Sequence, residues 1–224
     1  MKDRALSLPF APFRRVLLAS GLGAALVGVG AAWADTHPIA PPPAPLSGED
    51  KALADKAAAY LQGLGEMKGR FEQIDDRGGV SHGDIFLKRP GRARFAYDPP
   101  YGLLVISDGT NVLVSDPRLK SQSRYLLALT PLSILLAKQV RLDRGVAVTR
   151  VDHFTDGFAI TAQDAHHRGQ GEITLTFADN PVALREWKMK DAQGRITDIR
   201  LTAFGATSGL EPNLFFIPAP TGVR

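Results

Sequence analysis

The sequence predicts a mainly β protein of antiparallel strands, with one helix before the strands and a second inserted among them. From Met67 onward, apolar and polar residues alternate with a period of two, as they do in strands with one buried face. Turn signals such as Asp108-Gly109, Asp156-Gly157 and Asp179-Asn180-Pro181 separate these runs. Connections this short join antiparallel neighbours and leave no room for crossover helices.

The first 34 residues have the pattern of a secretory signal peptide. Four basic residues precede an uncharged run, VLLASGLGAALVGVGAA, which leads to the small-x-small site Ala32-Trp33-Ala34. We predict a Sec-type signal peptide at 1–34, cleavage after Ala34 and a periplasmic product. A single membrane anchor is the alternative, but the apolar run is a little shorter than the ~20 residues of a span, and no basic flank follows it.

Removal of this segment changes the charge of the protein. The whole chain is formally +4, and residues 1–34 contribute +3 through four basic residues and one acidic residue, so the remaining 190 residues carry +1. This balance gives no global electrostatic case for a nucleic-acid partner, and we expect none. The chain has no cysteine, which excludes disulfides, thiolate catalysis, Cys-ligated zinc and lipidation of an N-terminal cysteine.

Next come a tether and the start of a single domain. Residues 35–46 are Pro-rich, and we predict a disordered, extended tether. Ser47 then precedes two acidic residues as in a capping box, and apolar residues at helical spacing predict an amphipathic helix over roughly 49–65. We expect 47–224 to form one domain, because a chain of this length can bury a sizeable core.

The predicted strands follow one another with hairpin spacing. They cover roughly 67–74, 83–89, 93–97, 103–109, 111–116, 146–154, 157–163, 170–178, 182–190 and 195–203. Between the fifth and sixth lies YLLALTPLSILLAKQVRL, residues 125–142. We predict a short apolar helix there, with Thr130 as N-cap and Pro131 in the first turn.

The sequence contains no catalytic motif that we could identify. The motifs G-x-S-x-G, S-x-x-K and H-E-x-x-H and the P-loop are absent. His166 and His167 are adjacent in a polar loop and point to opposite sides, which favours a solvated loop over a metal site. Asp75-Asp76 is typical of a hairpin turn. We therefore expect no enzymatic activity, no metal and no cofactor.

The stretch LKRPGRARFAYDPP, residues 87–100, carries four cations that strand parity separates from its aromatics. Arg92 and Arg94 fall on one face, and Phe95 and Tyr97 on the other. We predict that these two arginines lie in water and that the aromatics face apolar space. A nucleic-acid-binding sheet would place stacking aromatics and cations on the same face.

Six segments, in order, resemble the periplasmic lipoprotein carrier family, LolA. They are FEQ at 71–73, GDIFLKRPGRARFAYDPP at 83–100, LLVISDG at 103–109, TPLSILL at 130–136, DAQG at 191–194 and FFIPAPTGV at 215–223. The resemblance covers most of the chain after residue 47. It implies an unclosed antiparallel β-barrel, or half-barrel, with a helical lid over a hydrophobic cavity.

The resemblance also implies a function and partners. Carriers of this family shield the acyl chains of lipoproteins, receive them from an inner-membrane lipoprotein-releasing ABC transporter and pass them to an outer-membrane acceptor. We expect a monomer. The apolar positions expected to line the cavity are Phe71, Ile85, Leu87, Phe95, Tyr97, Leu104, Ile106, Leu113, Leu132 and Leu135.

The resemblance further implies a latch. Arg89 corresponds to the family's motif arginine, which hydrogen-bonds to the lid and holds it closed in the empty state, and we expect residues 130–138 to belong to that lid. Ala93 and Phe95 stand where relatives have bulkier aromatics, a tryptophan in the second case, so the apolar face has less bulk here.

Other interpretations remain open from the sequence. The cavity could carry another lipid or a glycolipid, or the domain could sense lipids in the envelope, although such sensors usually have a second domain. An enzyme with an apolar pocket would need an acid–base pair, and none is visible. For each apolar residue, a place in an ordinary dry core is also open.

Overall fold

A computed structural model describes residues 46–142, 145–166 and 168–218. The predicted signal peptide, 1–34, and the tether up to residue 45 lie outside these ranges. Eleven strands form one antiparallel sheet in the order β6-β5-β4-β3-β2-β1-β11-β10-β9-β8-β7. Within the described ranges the end strands β6 and β7 do not pair with each other, so the sheet stays open.

The strands follow the predicted hairpin order closely. Their bounds are β1 Glu66–Ile74, β2 Val80–Lys88, β3 Arg92–Tyr97, β4 Leu104–Asp108, β5 Asn111–Asp116, β6 Ser121–Leu126, β7 Val146–Phe154, β8 Gly157–Asp164, β9 Gly171–Asp179, β10 Val182–Asp191 and β11 Ile196–Ala206. The helices are α1 Gly48–Gly63 and α2 Leu132–Leu136, and 3₁₀ turns lie at Leu127–Leu129, Arg168–Gln170 and Pro212–Phe215. All ten predicted strands are present, and β6 is additional.

The sheet curls strongly about its inner face. Three strands separate β3 from β10, which in a flat sheet corresponds to a distance of roughly 19 Å. Nevertheless, the rings of Phe95 on β3 and Trp187 on β10 lie 6.0 Å apart. A bulge between Lys68 and Arg70 in the β1–β11 pair adds bend, and a Cβ at Gly69 would lie 2.7 Å from the Cα of Phe204. The result is a half-barrel with an apolar interior.

Helix α1 packs on the inner side of β7, β8 and β10. The Ser47 hydroxyl accepts a hydrogen bond of 3.0 Å from the Asp50 N–H, which confirms the predicted N-cap. The buried residues of α1 are Ala54, Ala57 and Leu61, and Tyr60 meets Phe177 of β9 edge to face at 5.9 Å. In the described part of the chain, no helix is long and apolar enough to cross a membrane.

The segment 125–142 differs from its prediction. Its first residues complete strand β6, which pairs with β5 from Asp116–Ser121 to Asn111–Leu126, and α2 is only five residues long. The Thr130 hydroxyl donates to the Leu127 carbonyl at 2.9 Å instead of capping α2. Strand β6 was missed because its sequence, SQSRYL, is almost wholly exposed at a sheet edge and does not alternate.

The C-terminal segment covers the outer face of the sheet. The 3₁₀ turn Pro212–Phe215 packs on β3 and β4, and Phe215 is buried. Arg94 donates to the Leu214 carbonyl at 3.1 Å, and burial lowers the pKa of its guanidinium. The prediction that Arg94 lies in water was therefore wrong, because a distant segment returns over its face.

Candidate lipid-binding interior and its lid

Seven of the ten predicted cavity residues share one apolar interior. Each is at most 6% exposed, and all belong to the same core. They are Phe71, Ile85, Leu87, Phe95 and Tyr97 on strands β1–β3, and Leu132 and Leu135 on α2. Leu132 and Leu135, like Ile134 and Leu136, are buried, so α2 presents nearly its whole surface to apolar neighbours.

Three predicted residues, Leu104, Ile106 and Leu113, lie on the opposite face. In the sheet, Phe95 pairs with Val105 and Val105 with Val114, whereas Arg94 pairs with Ile106 and Ile106 with Leu113. Since side chains on directly paired positions share a face, Ile106 and Leu113 lie on the outer face with Arg94, as does Leu104 by alternation. Assigning them to the cavity was a mistake of one residue in parity.

The sequence gave no basis for choosing the correct parity here. Strands β4 and β5 are apolar at consecutive positions, because both of their faces are covered: the inner one by the core and the outer one by the C-terminal segment. The inner residues missed on these strands are Val105, Val112 and Val114, and on β10 Trp187 and Met189. The strict alternation of β10 was a usable signal for the last two.

Aromatic side chains fill the interior in this conformation. Phe71 meets Phe95 at 5.6 Å and Tyr97 at 4.9 Å between ring centroids, both edge to face. The ring of Phe71 lies over Gly83, where an added Cβ would come within 2.7 Å of it. Ala93 is 1% exposed, and Phe95 reaches Trp187 across the interior. An acyl chain can therefore enter only if α1 and α2 move and these side chains rearrange.

Arg89 ties the β2–β3 turn to the residue that follows α2. One terminal nitrogen of its guanidinium donates to the Ala137 carbonyl at 2.5 Å, and the Arg89 backbone N–H donates to the Gly65 carbonyl. Burial lowers the pKa of Arg89. Its Nε and the other terminal nitrogen are buried and have no partner among the described residues.

Gly91 provides a second attachment that the sequence reasoning missed. Its N–H donates to the Leu136 carbonyl at 2.9 Å, and its own carbonyl accepts from the Ser107 hydroxyl at 2.7 Å. Gly91 has φ +77°, and a Cβ there would lie 2.6 Å from the Cα of Gly109. The Pro-Gly pair in the sequence was the available signal for a special backbone position.

The two helical parts of the lid are linked through Gln62, near the end of α1. Its amide nitrogen donates to the Lys138 carbonyl at 3.3 Å, and its amide oxygen accepts from the Val140 N–H at 2.9 Å. Hence α1 and the segment after α2 are held to each other as well as to the sheet.

The lid is not packed on every side. A cleft of about 800 Å³ separates α2 and the 126–128 segment from the turns at 90–92 and 108–110. Apolar residues such as Leu126 and Leu136 line it together with Arg92, Asp108 and Lys138. This cleft leaves one flank of α2 without close neighbours.

The other end of α1 is fixed by charge. His153 on β7 lies 2.9 Å from the Asp50 carboxylate and 3.7 Å from that of Glu49. The hydrogen bond to Asp50 raises the pKa of His153, and the same bond lowers the pKa of Asp50. Lys56 adds an ion pair of 2.5 Å with Asp179.

Among the residues that the structure describes, no group of three or more His, Asp or Glu side chains is arranged to hold a metal ion. Asp75 accepts from the N–H groups of Arg77 and Gly79, and Asp108 from those of Thr110 and Asn111. Both aspartates therefore have turn-forming roles, as predicted. His166 is exposed, and His167 lies outside the described residues.

Comparison with known proteins identifies the family. The family model for the outer membrane lipoprotein carrier protein LolA matches residues 62–218. The chain belongs to this family. The outer-membrane lipoprotein carrier protein of Xylella fastidiosa is 35% identical over 170 residues, which cover 70% of this chain and 80% of the relative. That of Alkalilimnicola ehrlichii is 26% identical over 187 residues, or 80% and 85% of the two chains.

Solved structures include a similar fold. The LolA superfamily protein of Nitrosomonas europaea covers 74% of this chain and 98% of its own length, with a TM-score of 0.43 and 10% identity. The family match confirms the resemblance drawn from the six segments, and the eleven-stranded open sheet confirms the predicted fold class.

Proposed function

We propose that this protein carries lipoproteins across the periplasm from the inner to the outer membrane, binding their acyl chains in the half-barrel interior. In this proposal the protein is exported, cleaved after Ala34, and acts as a monomer in which residues 47–224 form the lipid-binding domain behind the tether. It receives cargo from an inner-membrane ABC transporter and passes it to an outer-membrane acceptor. It needs no cofactor and is not an enzyme.

The observation that carries the proposal is an apolar interior closed by a lid that few polar contacts hold. The lid contacts the sheet through the Arg89–Ala137 and Gly91–Leu136 hydrogen bonds. Membership in a family of lipoprotein carriers gives this arrangement its cargo.

The energetics fit such a role. An acyl chain exposed to water costs ~0.8 kcal/mol per CH₂, so a multiply acylated protein cannot cross an aqueous space unshielded. The interior provides the apolar surface once the lid moves. We assign the cavity lining to the seven inner residues Phe71, Ile85, Leu87, Phe95, Tyr97, Leu132 and Leu135.

Arg89 fits the role of the latch. A hydrogen bond from a charged donor contributes ~1.5–3 kcal/mol, which biases an equilibrium without locking it. The two unpartnered N–H groups of Arg89 offset part of this gain, since both would regain partners in an open, hydrated state. Closure is therefore favourable but readily reversed.

A release assay tests the function. Spheroplasts displaying lipoproteins on the inner membrane are incubated with the purified protein, and lipoprotein in the supernatant is measured. We expect release well above buffer, and mass spectrometry should find acylated polypeptide bound to the carrier. No release above buffer would contradict the proposal, whereas co-purification of a glycolipid alone would support the alternative cargo.

A further inference from the structure

The apolar interior has a polar patch at the end opposite the latch. Gln73 and Trp187 are 0% exposed and Ser81 is 2% exposed. Within the described ranges, the Gln73 amide nitrogen, the Ser81 hydroxyl and the Trp187 indole nitrogen are buried and have no hydrogen-bond partner. We call these three residues the polar floor.

The polar floor is one connected region of the inner face. Ser81 pairs directly with Gln73 across β2 and β1, and Ile199 joins Gln73 to Trp187 across β11. Side-chain contacts give the same connection, since the ring series Trp187–Phe95–Phe71–Tyr97 ends at the Tyr97 hydroxyl, which donates to the Gln73 amide oxygen at 2.5 Å.

The polar floor lies far from the mouth at Arg89. Ser81 precedes Lys88 by seven residues on β2, which at ~3.3 Å per residue is roughly 23 Å along the strand. A chain that enters beside the lid therefore reaches these groups with its distal part.

The free groups are hydrogen-bond donors. Burial raises the pKa of Tyr97, so its phenol stays protonated and donates to the Gln73 oxygen, which leaves the Gln73 NH₂ facing the interior. The indole N–H can only donate, and the serine hydroxyl can donate as well. Burying such donors against plain hydrocarbon leaves them unpaired, which is unfavourable, whereas an oxygen on the bound chain would satisfy them.

We propose that Gln73, Ser81 and Trp187 form a subsite for an oxygen, a hydroxyl or a carbonyl, on the distal half of a bound acyl chain. The inference rests on the proposed function, because it assumes that acyl chains enter this interior. It names the chemical class of chain that the carrier prefers, an oxygenated acyl chain over a plain alkyl chain of equal length.

Three fatty acids of equal length test the subsite: stearic acid, 12-hydroxystearic acid and 2-hydroxystearic acid. Their binding to the delipidated, exported protein is measured by equilibrium dialysis. We expect the 12-hydroxy acid to bind about tenfold more tightly than stearic acid, which corresponds to about 1.4 kcal/mol. The 2-hydroxy acid, whose oxygen stays near the mouth, should bind like stearic acid.

Variants assign the preference to the polar floor. Ser81→Ala combined with Trp187→Phe removes two donors with little change of shape and should abolish the preference while stearic acid still binds. Should this pair fail to fold, Ser81→Ala alone should reduce the preference. Equal binding of all three acids by the wild type, as expected if only water fills the site, would overturn the subsite and leave the carrier function intact. If none of the acids binds, the subsite and lipid binding in the interior both fail.

Discussion

At the scale of single residues, Arg89 connects the sheet to the lid through one charged hydrogen bond. Its partner is a backbone carbonyl, that of Ala137, so the contact depends on where the lid lies and not on a particular lid side chain. If closure accompanies release, this bond favours the empty, closed state and opposes the loaded, open one.

Replacing Arg89 by leucine should therefore impair release more than loading. Loss of ~1.5–3 kcal/mol of closing free energy predicts that transfer to acceptor membranes falls about tenfold or more, while uptake from spheroplasts is unchanged or higher. Both steps are measured by immunoblotting of the two fractions. Arg77→Leu is a matched control, because Arg77 is exposed in the β1–β2 turn far from the lid. Normal transfer by Arg89→Leu would exclude the latch.

Gly91 should tolerate no side chain. We expect Gly91→Ala to lower the free energy of unfolding by at least about 2 kcal/mol more than Gly78→Ala, measured by urea denaturation. Both glycines have positive φ, which costs alanine about 1–2 kcal/mol. Only at Gly91 would the new Cβ meet backbone, at 2.6 Å from Gly109, whereas nothing lies within 4 Å at Gly78. Equal losses would show that the close approach of the two turns is unimportant.

At the scale of elements, α1 is held at one end by Gln62 and at the other by the pair His153–Asp50. The charged groups facing His153 are Glu49 and Asp50 from α1 and Asp152 from its own strand. All three are acidic, so they favour the imidazolium.

This arrangement predicts that the start of α1 loosens as the pH rises. A histidine whose pKa is raised on folding stabilises the folded contact fully below its unfolded pKa, about 6.5, and loses that contribution as the pH rises through the higher folded value. Hydrogen exchange of the α1 amides, corrected for intrinsic rates, should show less protection at pH 8.5 than at pH 5.5. In His153→Gln the difference should vanish, and an unchanged difference in that variant would exclude His153 as its cause.

The elements also show where sequence reasoning works and where it fails. Alternation in β1–β3 and β10 placed Phe71, Phe95 and Tyr97 correctly, because each of these strands has one apolar and one polar face. It failed on β4 and β5, where the C-terminal segment makes the outer face apolar too, and on β6, whose exposed residues carry no pattern. The attachments at Gly91 and Gln62 arise from tertiary contacts between distant segments and have no local signature.

At the scale of the whole molecule, the open sheet and its lid form one device, in which the interior that binds cargo is also the core that stabilises the empty protein. The same apolar side chains pack on one another when the lid is closed and would contact acyl chains when it is open. Binding must then be coupled to lid movement, and a lid that cannot move should block it.

A crosslinked lid tests this claim most directly, and the absence of native cysteines makes the experiment specific. Gln62→Cys with Val140→Cys joins α1 to the segment after α2 through a short bis-maleimide, and Ser115→Cys with Gln122→Cys, paired residues of one hairpin, is the control. Release of lipoprotein from spheroplasts is measured before and after crosslinking. We expect the lid crosslink to abolish release and the hairpin crosslink to leave it unchanged. Full release by the protein with the crosslinked lid would contradict the account, since the cargo would then bind outside the interior.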